Sequence, residues 1–453
     1  MTDQRSLPGN VKEDGGFEVS HRMVLGLALP MTIGFLTTPL LGITDTAVAG
    51  RLGDPAILAG LAIGSVIFDL VFATFNFLRA STTALTAQAW GRGEAAEQEA
   101  VFFRAMTIAL AAGFLLVLMS PMLLAAGLWV MAPGEAAGAA MAEWFRLRMI
   151  AGPATLANYA ILGFLLGRGQ ARMGLLLQAI INGTNILLCI LFGLAMGYGV
   201  SGIALATVTG EIVGMLFGMA YVLASFRQRN PLRIAGLFDR AKLMALFSLN
   251  TDIMIRSFAL IAAFAVMTRI GSTFGPVVLA ANAVLMNFFM VAGFWLDGFA
   301  NAAETIIGRA LGAGHRLAFD RGVRLTAVWS FVLAAFTSLA IWTLGSPMID
   351  FLTSEPGVRD IAKAHLWTAA LTALSGALAF HMDGVFIGAT WSNVMRNRMV
   401  ASLLCFLLAL WVLVPAYGNM GLWMAFNLFL LARGLFLAQA LPGLSRQAFL
   451  PAQ

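Results

Sequence analysis

The chain has 453 residues, 60% of them hydrophobic and 11% charged, and 28 Lys and Arg against 22 Asp and Glu give a net charge of +6. Soluble domains carry about 25% charged residues, so this composition, with a mean hydropathy of +0.86, excludes an ordinary soluble protein and points to a polytopic membrane protein. Cys189 and Cys405 lie far apart in apolar runs and define neither a disulfide framework nor a thiolate metal site.

Residues 1–22 are polar and mixed in charge, lack the apolar run and cleavage site of a secretory signal, and read as a cytoplasmic tail. Twelve apolar runs follow, at roughly 24–48, 57–82, 101–131, 144–167, 173–196, 200–226, 244–268, 277–308, 322–345, 362–389, 398–416 and 421–441. Each is long enough for the ~20 residues of a spanning helix. An even number of spans returns both termini to one side. With the N-terminus inside, most Lys and Arg fall at inner ends and loops, as the positive-inside rule requires. Arg51, Arg146, Arg148, Arg269, Arg359 and Lys363 fall outside, and Arg79, Arg256 and Arg433 within spans. The basic balance therefore reports orientation in a cell inner membrane, with both termini cytoplasmic. It implies the lipid bilayer as partner, not nucleic acid.

The first span contains Pro30 to Gly53, PMTIGFLTTPLLGITDTAVAGRLG. Its carboxylate, Asp45, costs at least ~2.5–3.5 kcal/mol at membrane depth. Such a residue is kept most easily where it faces a watery cavity, another polar group or an ion. Asp45 is either a coupling group or a boundary residue that caps the helix or pairs with Arg51. Pro30 removes a backbone hydrogen bond near the inner end, as a passive kink or a mobile hinge. In the second span Asp69, Asn76 and Thr83 recur at seven-residue intervals and are expected on one helix face. In the fifth, Gln178, Asn182, Asn185 and Cys189 follow i, i+4, i+7, i+11 spacing. That stripe is either a set of interhelical hydrogen bonds or a polar cavity wall. Asn158, in the fourth span, is a further cavity candidate.

The basic stretch 227–243, with Arg227, Arg229, Arg233, Arg240 and Lys242, divides the chain near its middle. A shift of 221 residues lays LAGLA (58–62) on LAANA (279–283), AWGRG (89–93) on ALGAG (310–314) and GFLLG (163–167) on GVFIG (384–388). One offset joining three separated places predicts two six-helix halves of parallel topology, an arrangement seen in transporters. The expected division is a tail at 1–22, an N-lobe at 23–226, a linker at 227–243, a C-lobe at 244–441 and a tail at 442–453. The spacings Gly163–Gly167, Gly214–Gly218 and Gly384–Gly388 predict close helix packing.

The second half carries more polar residues. Asp297, Asn301 and Glu304 share a face of the eighth span, as further cavity candidates. Arg256, in the seventh, is expected to be neutralised by Asp252, Asp297 or Glu304. In the tenth, Asp383 is a cavity candidate, and His381 is read as a satisfied interior histidine in preference to a proton relay. HExxH, Walker A and glycine-rich nucleotide loops are absent, and His21, His315, His365 and His381 are scattered. No enzymatic activity and no cofactor are expected, and either an ion gradient supplies the energy or the protein works passively.

Taken in order, Pro30 with TDTAVAGRLG, NTDIMIR (250–256), ANAVLMN with LDGFANAAE, and DGVFIGAT with MRN (395–397) resemble the multidrug and toxic compound extrusion (MATE) transporters, within them the DinF-like branch. The resemblance covers essentially all spans. It implies an all-α membrane protein of twelve helices in a V-shaped pair of six-helix lobes, exporting small organic compounds, cationic or amphipathic, in exchange for H+ or Na+. The family's coupling carboxylate on the first helix falls on Asp45. In the sodium-binding pattern of related members, the Asn of NxxxD on the fifth helix falls on Asn185, and Thr207 looks like the threonine of the sixth. Cys189 stands where that pattern has Asp. Sodium prefers oxygen ligands by the logic of hard cations, so proton coupling is expected. A carboxylate loses its charged form most readily when desolvated, and protonation of Asp45 would let the first helix bend near Pro30. Sodium coupling and a lipid-linked precursor flippase are the alternatives, the latter calling for several basic residues within spans. The protein is expected to act as a monomer.

Overall fold

A computed structural model of the chain describes residues 18–226 and 239–450. Most of the N-terminal tail, and Arg227, Arg229 and Arg233 of the basic linker, lie outside them. The regular structure of the described residues is all helical. The first span consists of α1 (His21–Leu36) and α2 (Thr38–Arg51). Pro30 sits inside α1, and the interruption falls at Thr37, whose hydroxyl donates to the Gly34 carbonyl at 2.6 Å. Pro39, in the first turn of α2, supplies no backbone donor there. The second span is α3 (Pro55–Ala73), capped by the Asp54 carboxylate accepting from the Ala56 amide at 2.8 Å, and α4 (Phe77–Gly91). Between them Phe75, Asn76 and Leu78 make tighter i→i+3 bonds. The turn rephases the chain, so Asp69, Asn76 and Thr83 do not share a face of one regular helix, contrary to the expectation from their spacing.

After α5 (Ala95–Met131), the fourth span is a broken pair, α6 (Glu135–Met149) and α7 (Gly152–Gly167), bent by 52°. Pro153 opens α7 and cannot donate across the break. Because α6 begins at Glu135, well before the apolar run at 144, Arg146 and Arg148 lie inside the span and not outside it. Next come α8 (Ala171–Ile190), prolonged by a π-turn at Leu191–Ala195, and α9 (Gly199–Phe226). The second half holds α10 (Arg240–Thr273), α11 (Pro276–Gly312), α12 (Arg316–Leu352), α13 (Pro356–Gly388) and α14 (Ser392–Ala448). Two helices meet inside α14 at Gly418, with φ 56° and ψ −131°, a conformation open to glycine. Ten helices of the described residues are long and apolar enough to span, and the α6–α7 pair makes eleven. The break at Gly418 makes twelve, matching the twelve apolar runs. Leu118, Trp129, Phe351 and Trp411 are 76–89% exposed, an outward apolar belt that lipid would cover.

By its contacts the chain divides into two compact units. One holds the chain up to Thr32, Gly91–Gly93 and the chain from Phe247 onward; the other holds Ile33–Trp90 and Glu94–Leu246. Both changes of unit at Thr32/Ile33 and Leu246/Phe247 occur inside helices, the first just beyond Pro30.

Within the units the duplication recurs as packing. A Cβ added to Gly163 would meet the Arg79 carbonyl at 2.5 Å, and one added to Gly384 would meet the Ala300 carbonyl at 2.2 Å. For Gly167 and Gly388 the atoms met are the Thr83 and Glu304 carbonyls, at 2.6 and 2.3 Å. Each pair is related by the same 221-residue shift read in the sequence. Two of the three glycine spacings are thus backbone-on-backbone contacts, of α7 on α4 and of α13 on α11, whereas Gly214 and Gly218 of α9 pack against the side chains of Ile181 and Ile161.

Gly384→Ala is expected to destabilise the protein by ~1–3 kcal/mol, because the new methyl meets rigid backbone. Gly183→Ala, on α8 with open space around its Cα, should be neutral or gain up to ~1 kcal/mol in helix propensity. Denaturant titration in detergent compares the two.

Candidate functional site

In the unit formed by α2–α9, three helix starts bring charge to a similar distance along their helices. Asp69, Arg148 and Glu211 lie 14, 13 and 12 residues beyond the first residues of α3, α6 and α9, or roughly 18–21 Å at 1.5 Å per residue. Asp45 is shallower, six residues before the end of α2 at Arg51.

Asp45 is half-buried, and the Cys189 thiol of α8 donates to its Oδ1 at 3.3 Å. One turn earlier on α8, Asn185 is buried and its amide nitrogen donates to the Thr207 hydroxyl of α9 at 2.7 Å. Asn182 donates to the Thr37 hydroxyl at 2.5 Å, at the interruption of the first span. The α8 stripe therefore meets the first span at Asp45 and Thr37 and the sixth at Thr207. Gln178 continues it, packing near Gly34. The Asn185 carbonyl oxygen is buried with no hydrogen-bond partner among the described residues. Such an orphaned acceptor is costly unless something else satisfies it. Asp45 thus has a neutral thiol as its donor, and the reading that paired it with Arg51 gives way to this contact.

The same unit holds an ion pair that residue spacing does not signal. Arg148 and Glu211 lie 3.5 Å apart, with side chains 8% and 13% exposed. The Asn158 amide donates to the Glu211 carboxylate at 2.7 Å and to its backbone carbonyl at 2.9 Å. Arg148 also lies over the Phe68 ring at 4.0 Å, a cation–π contact, and reaches the Thr155 hydroxyl at 3.5 Å. Asn158 is therefore engaged with Glu211. Asp69 and Asn76 are exposed, and Asn76 accepts from Arg79 at 3.2 Å.

In the other unit, Arg256 does not pair with Asp252, Asp297 or Glu304. It pairs with Asp383 of α13, which Arg433 of α14 also contacts at 2.6 Å. Asp252 is held instead by Arg396 at 2.5 Å and by the Ser392 hydroxyl at 2.8 Å. Spacing on one helix permitted the Asp252–Arg256 pair, but α13 and α14 supply better-placed partners. Asp383 is buried as the shared acceptor of two guanidiniums. His381 is fully buried, with its Nε2 2.9 Å from the Thr326 hydroxyl, the geometry of an interior histidine. On α11, Asn301 and Glu304 are buried, and Asn301 donates to the carbonyl of Asp297 at 2.6 Å.

A twelve-helix duplicated scaffold with acids and amides facing one another at membrane depth defines a membrane transporter class. The MatE family model matches the chain over residues 30–191 and 253–414, once in each half. DNA damage-inducible protein F of Escherichia coli is 35% identical over 92% of this chain and 91% of its own length. The Deinococcus radiodurans protein named "Probable multidrug resistance protein NorM" is 29% identical over 92% and 94%. Among solved structures, a Vibrio cholerae MATE transporter in its bent form superposes with a TM-score of 0.87 at 20% identity, covering 94% of this chain and 97% of that one. A MOP superfamily transporter from Pyrococcus furiosus gives 0.85 at 16% identity, covering 95% and 97%. These two share the fold. The chain belongs to the MatE family of multi-pass membrane transporters, in its DinF-like branch, as its motifs led one to expect.

Asp383→Asn leaves Arg256 and Arg433 facing each other without their shared carboxylate. Breaking a buried pair in this way costs ~3–5 kcal/mol, so its thermal midpoint in detergent should fall well below that of Arg256→Gln, which leaves Arg433 paired.

Proposed function

We propose that the protein is a secondary active efflux antiporter, exporting organic cationic or amphipathic compounds in exchange for protons, with Asp45 as the coupling carboxylate. The observation that carries this reading is the contact of Asp45 with the Cys189 thiol, beside Asn185 and Thr207. A carboxylate at membrane depth that is held by a neutral donor and not by a fixed cation can take up and release a proton without breaking an ion pair. The name of the Deinococcus relative supports export of varied compounds. Proton entry neutralises Asp45 and weakens its need for polar contact. The first span can then repack about the segment from Pro30 to Thr37, where a proline and a helix interruption reduce the backbone hydrogen bonds that resist bending. The protein works as a monomer in the inner membrane with both termini cytoplasmic, the N-lobe being 23–226 and the C-lobe 244–441.

Sodium coupling is the second reading, favoured by the orphaned Asn185 carbonyl oxygen near the Thr207 hydroxyl and Asp45. These are hard oxygen donors, but the fourth, Cys189, is a thiol and suits sodium poorly. The flippase reading needs guanidiniums available for phosphate, and Arg148, Arg256 and Arg433 are each bonded to a carboxylate.

Efflux of a cationic dye from proteoliposomes, with pH and sodium gradients imposed separately, tests the assignment. The pH gradient alone should drive transport, and Asp45→Asn should reduce it to the level of protein-free liposomes while folding normally. Sodium-driven efflux at zero pH gradient would overturn proton coupling. Cys189→Asp completes an oxygen donor set and should introduce a sodium dependence that the parent protein lacks.

A further inference from the structure

The Arg148–Glu211 pair has no part in the coupling step above, yet it lies in the same unit as Asp45. Two acids beyond Glu211, Asp69 on α3 and Asp45 on α2, act on the Arg148 guanidinium through their charge without bonding to it. One buried arginine is therefore bonded to one carboxylate and lies in the field of two more. Which of them that arginine neutralises decides the charge left for a ligand.

The geometry commits it to Glu211. Phe68 covers one face of the guanidinium at 4.0 Å, the Thr155 hydroxyl lies 3.5 Å from Nη1, and Glu211 lies 3.5 Å from Nη2. Asn158 fixes the acceptor by donating to both the Glu211 carboxylate and its backbone carbonyl. Asp69 follows Phe68 directly in α3 and is exposed, and among the described residues the hydrogen bonds of Arg148 go to Thr155 and Glu211, not to Asp69.

We propose that Glu211, clamped by Asn158, sequesters Arg148 and thereby sets the charge selectivity of this unit, leaving Asp45 and Asp69 to attract an organic cation. This rests on the reading of the protein as an exporter of organic cations and names the residues that impose the preference. Arg148 and Glu211 are positioning residues in this scheme: they need not touch the ligand. If Glu211 loses its charge, the guanidinium is no longer neutralised locally, and its field opposes that of the two acids. The unit then loses affinity for cations and gains it for anions. Removing both charges restores the original balance.

The test is equilibrium binding of ethidium, a cation, and fluorescein, an anion, to the purified full-length chain, read by fluorescence anisotropy. Glu211→Gln should weaken ethidium binding ~10-fold, the scale of one unneutralised charge at short range in a partly buried site, and should strengthen fluorescein binding. The double variant Arg148→Gln with Glu211→Gln should return ethidium to within ~2-fold of the parent. A merely structural pair would weaken both probes alike, and the double variant would be no better than the single one; either result overturns the proposal, as does unchanged ethidium affinity in a folded Glu211→Gln. If the parent protein binds ethidium with the expected variant pattern but does not export it from proteoliposomes, the efflux reading fails and the charge-selectivity assignment stands. If the parent does not bind ethidium, the assignment falls.

Discussion

Hydrocarbon supplies neither counter-ions nor hydrogen bonds, so a charge on a membrane-spanning helix has to be neutralised by the protein that carries it. Most of the deep charges here obey that constraint with a partner on another helix. Glu211 holds Arg148, Asp383 receives both Arg256 and Arg433, and Asp252 is met by Arg396 and Ser392. Asp45 meets it differently, with a thiol in the position of a partner. A thiol donates one weak hydrogen bond and brings no positive charge, so this contact does not make an ion pair of Asp45. The functional assignment follows from that contrast among the acids.

Neutralisation across helices requires helices that come close, and the glycines provide this. Gly163 and Gly167 bring α7 against the backbone of α4, and Gly384 and Gly388 bring α13 against that of α11. Asp383 sits one residue before Gly384, so the approach that seats the glycine also fixes the carboxylate within reach of Arg256 and Arg433. Packing and electrostatics are in this way set by the same few residues.

Architecture was legible in the sequence because lipid and backbone contact both leave strong marks. Twelve apolar runs correspond to the spans, and one offset of 221 residues matches the glycine contacts of both halves. The α8 stripe was also legible, since Asn182, Asn185 and Cys189 share one regular helix and each bonds a neighbour. Three features were not. Arg148 was placed outside because residues 132–143 are rich in Ala, Gly and Glu, so hydropathy starts the span late although Ala favours helix from Glu135 onward. Glu211 was passed over for a related reason, as a single acid in an apolar run tells nothing of which arginine faces it. The partner of Arg256 was misread because i, i+4 spacing describes one helix, and the choice among acids depends on how α13 and α14 are rotated toward it.

Duplication explains why the scaffold repeats while the chemistry does not. Positions where backbone meets backbone tolerate only glycine, so Gly163 and Gly384, or Gly167 and Gly388, are fixed in both halves by sterics alone. Side chains that point away from those contacts are free to diverge: Asn76 has Asp297 as its counterpart, Ala80 has Asn301, Thr83 has Glu304, and Leu162 has Asp383. The second half has used that freedom to place an acid where two arginines can hold it. The first half has kept Leu162 there and carries its half-buried acid, Asp45, on the first span, bonded to Cys189. A symmetric fold therefore carries its charged chemistry asymmetrically: the second half holds Asp383 between two arginines, while the first pairs Glu211 with one arginine and leaves Asp45 against a thiol.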